Sequence, residues 1–470
     1  MLAAVVAFGG CLWGSFHFDD YSMFSRDLWR PLETRPLTYL TFWINEKLGG
    51  QNPAGYLAVN LLIHLIAIVL LWDTLTRWLP PAAVLIATAI FAVHPFQAEP
   101  VDYVFARSSS LATVLCLAAL ASWNRERRWW TVAWFALALL AKEECVAFPA
   151  FLLLLHLSAA RGRKELKPIA VMFALSLAAG VRVLIAANTT PGSGGGAQAA
   201  ISWQSYLAAQ GVVIPRYLRM LLLPWGFTID PAISIPPTWL AVLAWLGIAA
   251  LAALAAFRFK RAQAGFWSIA GLVLLLPSSS IFPATDLAAD RRMYLPMIAF
   301  AACAGLLLAR VRPIFLAPVF LLLCGLSFMR TMTWRTEESL WTDAVEKAPG
   351  KLRPIIQLAR ALDPQRGLEI LERAKRAAPN EPRIPSEEGR IYLALGRPSD
   401  ALIEFGRALA LAPRSPDALN NRGAALLALD QRDAARQDFE RALAIDPCEL
   451  NARSNLLRLG ISKPLPANCK

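Results

Sequence analysis

Between residues 1 and 330 the chain returns repeatedly to apolar runs of about 15–20 residues, close to what a helix needs to cross the hydrocarbon core of a bilayer. Few folds accept such a pattern. In lipid, every peptide N–H and C=O must find its partner inside the protein, so a spanning segment is helical unless strands close into a barrel. Residues 331–470 hold no such run and are dense in Arg, Glu, Asp and Ala. The apolar fraction is 56% of 470 residues, against roughly 45–50% for soluble domains, and the excess sits in the first part. The expected fold class is all-α: a polytopic membrane domain over residues 1–330, then a soluble helical domain over residues 338–465.

The net charge of +13 does not point to nucleic acid. In a polytopic membrane protein, Lys and Arg collect in short cytoplasmic loops, here NRERRWW, RGRKELK, RFKR and the pair Arg310, Arg312. These clusters fall on one side only if residues 203–223 lie flat at the interface. That stretch is apolar but broken by Gly211 and Pro215, and it carries Arg216 and Arg219. It reads either as a kinked crossing or as an interfacial helix, and the charge bias favours the second. The count is then about eleven crossings, with residues 17–43 and everything after Arg330 on the outer face. Met1 opens directly into an apolar run, with no basic segment that would mark a cleavable signal. Of seven cysteines, Cys11, Cys116, Cys145, Cys303 and Cys324 lie in apolar helices as small hydrophobes. Cys448 and Cys469 can pair if that end is extracytoplasmic.

The stretch HFDDYSMFSRDLWRPLETRPLTYLTFW at 17–43 is a polar island between apolar runs, expected as a loop. It holds adjacent carboxylates Asp19 and Asp20 with Arg26, Arg30 and Arg35. On the expected topology further ionisable groups reach the same face: His94 and Glu99 in HPFQAEP, Arg107, Lys142 and Glu143, and Asp290, Arg291 and Arg292 in DRRMYLP. Arg182 lies about one turn inside its helix. A transporter places ionisable groups at mid-depth along a path, whereas a ring at one face suits chemistry on a lipid headgroup. Sugar transfer from a lipid phosphate needs a carboxylate to deprotonate the acceptor hydroxyl and cations to stabilise the departing phosphate. Adjacent carboxylates also suit a divalent metal. Each group has a plainer reading: a solvated helix cap for Asp19-Asp20, a helix-end residue for His94, a local turn for Lys142-Glu143, headgroup contact for Arg291-Arg292. His64, inside an apolar helix, reads as a satisfied core histidine.

In the tail, Gly389, Ala401, Phe405, Ala408 and Pro413 recur as Gly423, Ala435, Phe439, Ala442 and Pro447, a constant period of 34. Small residues at helix crossings with this period are the tetratricopeptide pattern, an α-solenoid of helix pairs. Pro379 sits one period earlier, so a third, weaker unit is expected from Pro349. The pattern indicates a binding surface.

The motifs FDDY, RPLTYLTFW, GYLAVNLLIH, HPFQAEPVDYVFARSSSLATVL, LLAKEE, PSSSIFP and DRRMYLP, followed by the repeats, together resemble the transmembrane and tetratricopeptide-repeat-containing O-mannosyltransferases and their bacterial relatives. The resemblance runs over nearly the whole chain in the same order. It implies a C-type glycosyltransferase fold in the inner membrane that uses a polyprenyl-phosphate sugar, mannose by family, on the extracytoplasmic face. It implies Asp19 as catalytic base, Asp20 in support and Glu99 as second acid. Arg107, Lys142, Arg292 and Arg182 become candidates for the donor phosphate; Arg35, His94, Glu143, Asp290 and Arg291 are further candidates, and the metal is left open. An acceptor protein would lie on the repeats, on the outer side. Relatives commonly carry Gly-Arg-Lys-Asp where this chain has Ala106-Arg107-Ser108-Ser109, so Arg107 transfers and its charged neighbours do not. The competing readings are a non-catalytic membrane scaffold whose repeats recruit envelope proteins and, ranked last, a transporter of lipid-linked sugar.

Overall fold

The computed structural model describes the whole chain except residues 26–34, 159–165, 190–200, 260–261, 280–281, 285, 467–468 and 470. Arg26, Arg30 and most of the Gly-rich 188–198 stretch therefore lie outside the described residues. The described residues are overwhelmingly helical and divide into two compact units, Met1–Leu340 and Trp341–Lys470.

The first unit runs α1 (Leu2–Phe8), α2 (Pro36–Gly49), α3 (Pro53–Leu75), α4 (Pro81–Val93), α5 (Ala98–Asp102), α6 (Arg107–Asn124), α7 (Arg128–Ala141), α8 (Phe148–Ser158), α9 (Leu166–Thr189), α10 (Trp203–Leu222), α11 (Thr238–Arg258), α12 (Gln263–Leu275), α13 (Met297–Leu308) and α14 (Pro313–Thr333). Among the described residues, five helical segments are long and apolar enough to cross a membrane: α3, Val104–Asn124, Leu166–Ala186, α11 and α14. A sixth forms if α4 and Pro95–Asp102 count together, although they bend by 50°. Pro95 accounts for the bend: it has no N–H for the helical ladder, and it pushes His94 out of helical geometry to φ −77°, ψ 137°. The remaining apolar helices, Leu2–Trp13, Arg128–Ala141, Gln263–Ser278 and Met297–Leu308, are shorter than a full span.

One expectation is corrected. Residues 17–43 are not one loop: Phe18–Ser25 is a 3-10 turn, and α2 starts at Pro36. Pro36 opens that helix because its missing N–H falls where no intrahelical acceptor exists. Residues 203–222 form one unbroken helix despite Gly211 and Pro215, and α10 is not among the segments apolar enough to span.

The membrane unit packs by close approach of small residues, as helices do where burial in lipid offers no extra hydrophobic drive. A Cβ on Gly305 of α13 would collide with the Ala83 carbonyl and Ala87 of α4. His64 is fully buried, with Nδ1 on the Tyr294 hydroxyl at 2.7 Å and Nε2 on the Ala92 carbonyl at 3.2 Å, a satisfied core histidine.

The second unit stacks antiparallel pairs. After α15 (Glu337–Lys347), which straddles the division, come α16 (Leu352–Ala361) with α17 (Pro364–Ala377), α18 (Arg383–Ala394) with α19 (Pro398–Leu411), and α20 (Pro416–Ala428) with α21 (Arg432–Ile445). A last helix, α22 (Leu450–Arg458), follows. The period has a direct cause: a Cβ on Gly389 would lie 2.7 Å from the Phe405 ring, and one on Gly423 would lie 2.6 Å from the Phe439 ring. Each glycine admits the phenylalanine of its own repeat, and Phe405 also joins Ala425 of the next. The Gly423→Ala variant is accordingly expected to destabilise the repeats by about 1–3 kcal/mol; a temperature-gradient proteolysis series on the full chain reads this as earlier cleavage within residues 400–450.

Candidate active site

Two clusters of polar side chains stand out in the first unit, and the segment from α5 to the start of α6 joins them. The first surrounds Asp19 and Asp20. Their environments differ sharply: Asp19 is exposed, whereas Asp20 is fully buried. Both Asp20 oxygens accept backbone N–H groups, Oδ2 from His17 at 2.9 Å and Oδ1 from Phe105 at 2.7 Å. Burial pushes the Asp20 carboxyl up to about 7, against the pull of these two donors. Asp20 thus pins the 18–25 turn to Val104–Ala106. Asp19 accepts from the Tyr103 hydroxyl at 3.1 Å.

The second cluster lines a small open pocket. Its polar wall is Ser109, Thr113, Lys142, Glu144, Ser278, Arg291 and Arg292. Lys142 Nζ donates to Ser109 Oγ and meets Glu144 Oε2, both at 2.7 Å. Arg292 is held by the Tyr206 hydroxyl at 3.2 Å and by the Leu287 and Asp286 carbonyls at 3.1 and 2.7 Å. Lys142 pairs with Glu144, and Arg291 with Glu99 and Asp286, whereas Arg292 is held by neutral oxygens and keeps its charge available to an anion. Helix α10 fixes this wall from behind: Gln210 donates to the Leu287 carbonyl, Tyr217 to the Ala289 carbonyl, both at 2.9 Å, and Arg216 meets Asp290 at 3.4 Å. Asp290 is therefore an internal partner of Arg216 rather than part of the pocket lining.

Glu99 links the clusters. It is buried on α5, accepts the Arg291 backbone N–H at 2.8 Å, and forms an ion pair with the Arg291 guanidinium. Tyr103, one turn along, lies in the field of Asp19 and Asp20 on one side and Arg291 on the other.

Other candidates take up different posts. Arg107 is fully buried and donates to Asn60, Thr41, Asn45 and the Tyr56 carbonyl at 2.6–3.1 Å, beneath the Phe42 ring. It is absent from the pocket lining, and Asn60 passes its support to the Val101 and Tyr103 carbonyls. Arg35 grips Glu143 through two hydrogen bonds of 3.0 and 2.5 Å. Burial raises the Glu143 carboxyl, but the Arg35 guanidinium outweighs it and holds the group down at about 2. His94 stacks on Phe96 at 5.3 Å and accepts its N–H through Nδ1 at 3.2 Å, the helix-end role. Arg182 is half-buried on α9, and the described bonds that join the two clusters come from other residues. Among the described residues, no three His, Cys, Asp or Glu side chains gather as a metal site requires.

Sequence reasoning did not single out Tyr103, Ser109, Glu144 or Tyr206. Glu144 beside Lys142 and Tyr103 within VDYVFAR were visible, but only packing tells which neighbour turns inward.

The tetratricopeptide-repeat profile matches residues 416–447. A protein O-mannosyl-transferase of Caenorhabditis elegans is 25% identical over 411 residues, covering 76% of this chain and 59% of that protein. Human protein O-mannosyl-transferase TMTC3 is 30% identical over 145 residues, 25% of this chain and 16% of its own length. The Drosophila melanogaster protein O-mannosyl-transferase Tmtc1 is 36% identical over 120 residues, 24% and 14%. The chain is a homologue of these O-mannosyltransferases. It spans less than two thirds of the length of each of these three relatives.

Two tests follow from the geometry of this O-mannosyltransferase homologue. The Glu143 carboxyl is depressed, so its pairing with Arg35 stabilises the fold fully above about pH 4.5 and loses that effect as pH falls through about 2. Glu143→Gln should lower the melting temperature by a few degrees near neutrality, with the deficit shrinking towards pH 2 in a detergent-solubilised melt. Arg107→Met leaves Asn60 without its donor and should cost about 3 kcal/mol or more, seen as poor recovery of folded protein, whereas Arg292→Gln should leave yield unchanged.

Proposed function

We propose that this protein is an integral-membrane glycosyltransferase that moves a sugar, mannose by its relatives, from a polyprenyl phosphate to a protein hydroxyl on the extracytoplasmic face. The observation that carries this reading is the chain of contacts from the cationic pocket through Arg291, Glu99 and Tyr103 to the exposed carboxylate of Asp19. A base and an anion site joined by one buried scaffold are what transfer from a phosphate leaving group demands. The relatives' activity, protein O-mannosyl transfer, supports the same class.

In this reading the Asp19 carboxylate takes the proton of the acceptor hydroxyl. The hydroxyl oxygen bonds to the sugar C1 as the bond from C1 to the phosphate oxygen breaks. The lipid phosphate departs with one more negative charge, which Lys142, Arg291 and Arg292 stabilise. Glu99 holds Arg291 in place, and Asp20 holds the turn that carries Asp19. Arg107 supports the scaffold without touching donor phosphate.

The repeats present the acceptor on the outer side. Cys448 and Cys469 support that placement: they pair in a disulfide with Cα atoms 5.2 Å apart, a bond that persists in oxidising compartments.

The test is transfer of label from radiolabelled polyprenyl-phosphate mannose to protein in membranes. Asp19→Asn at equal abundance should lose about 10²-fold or more in rate, and Arg292→Gln should fall comparably. Full activity in Asp19→Asn would remove the base assignment. Silence of the wild type across a panel of polyprenyl-linked sugars would favour the scaffold, with the repeats as recruiting surface.

A further inference from the structure

We propose that Tyr103 is the positioning residue for the Asp19 carboxylate, kept in register by the Trp334 ring at the end of the last membrane helix. The proposal rests on the reading of Asp19 as base. Tyr103 is almost completely buried, yet its hydroxyl reaches outward to an exposed carboxylate rather than to a nearby carbonyl. Three neighbours fix the ring. Trp334 stacks on it at 5.6 Å with an interplanar angle of 18°, Phe18 packs at 4.9 Å, and Phe105 lies at 6.3 Å. The backbone carbonyl of Tyr103 is held by Asn60 Nδ2 at 3.1 Å.

The other end of the hydrogen bond is less firmly founded. Asp19 sits on a short 3-10 turn whose preceding residue, Phe18, has φ near 20°. A bulky residue there is strained, and such strain survives only where surroundings over-determine it. The same stem supplies those surroundings: His17 Nε2 bonds the Trp334 carbonyl at 2.8 Å, Ser15 Oγ donates to the Arg335 carbonyl at 3.2 Å, and the Phe18 N–H faces Glu337 at 3.4 Å. Thr331 on α14 donates to Asp102 at 2.9 Å, one residue before Tyr103. Residues 331–337 thus brace both partners of the Tyr103–Asp19 bond.

Among the described residues, Asp20 and Tyr103 interact with Asp19; His17 and Tyr21 act on Asp20, Glu337 on Tyr21 and His17, and Arg291 on Tyr103. Among them, Tyr103 donates a hydrogen bond to the carboxylate. A donor to a carboxylate favours its ionised form and restricts its rotamers. Tyr103 therefore holds one oxygen of the Asp19 carboxylate in place.

The test uses the full chain in lipid nanodiscs. Tyr103→Phe keeps the ring and removes the hydroxyl. The expected result is a roughly tenfold fall in kcat for transfer from polyprenyl-phosphate mannose, an unchanged KM for that donor, and an acid limb of the rate profile displaced to higher pH by about one unit. Labelling of Asp19 by a hydrophobic carbodiimide, which reacts with protonated carboxyl groups, is followed by peptide mass mapping and needs no turnover. Its midpoint should move the same way. Trp334→Leu should reproduce the displacement and Trp334→Phe should restore it. A Tyr103→Phe protein with an unmoved labelling midpoint overturns the proposal. A normal rate in Asp19→Asn, with the midpoint displaced in Tyr103→Phe, overturns the base assignment instead and leaves the positioning contact standing.

Discussion

The ion pair between Glu99 and Arg291 is the constraint on which the site depends. Its partners are separated by 192 residues, and Glu99 is almost fully buried. A carboxylate withdrawn from water is tolerated only when paired and hydrogen-bonded. Glu99 gains both from one residue, accepting the Arg291 backbone N–H and its guanidinium. That pairing fixes the 290–293 turn against α5. It thereby fixes the pocket wall, because Arg292 is the next residue and its own carbonyl partners, Asp286 and Leu287, lie just upstream. Without this pair, Lys142 and Arg292 would have no reason to face the same space as the segment carrying Tyr103.

The two adjacent aspartates show how one step along the backbone divides labour. Asp20 turns inward and spends both oxygens on peptide donors from separate segments. Asp19 turns outward, where it accepts from the tip of a tyrosine. Asp20 is fully buried with both oxygens engaged and offers no open face to an acceptor hydroxyl, so the pair separates into an anchor and a candidate base. Arg107 and Arg292 divide similarly. Arg107 saturates its guanidinium with amide, hydroxyl and carbonyl oxygens inside the helix bundle, while Arg292 lines open volume.

How much of this was legible in the sequence depends on the range of the interaction involved. The 34-residue period, the apolar runs and the helical class follow from residue type and spacing, because solvation and local geometry act on neighbours in the chain. The Gly–Phe crossing is an example: Gly389 with Phe405 and Gly423 with Phe439 stand at fixed offsets, and the structure puts each pair in contact. The count of spans was less accessible. Charge bias treats each apolar run as one crossing, but a proline at 95 bends one, and others are shorter than a bilayer. The helix beginning at Pro36 was missed because its charged flank outweighed its apolar core in the reading.

The sequence by itself determined which residue types were available and where they clustered along the chain: carboxylates at 19 and 20, cations at 142 and 291–292, repeats after 380. It determined this because hydropathy and helical spacing are properties of short windows. Only the tertiary structure decided which of those groups face one another. Arg107 is buried with its donors on Asn60, Thr41, Asn45 and Tyr56; Asp290 meets Arg216 inside the protein; Tyr103, unremarked in the sequence, bonds Asp19 and lies in the field of Arg291. Orientation at this level is set by long-range packing and by the demand that every buried charge find a partner, and neither is written in any short stretch of the chain.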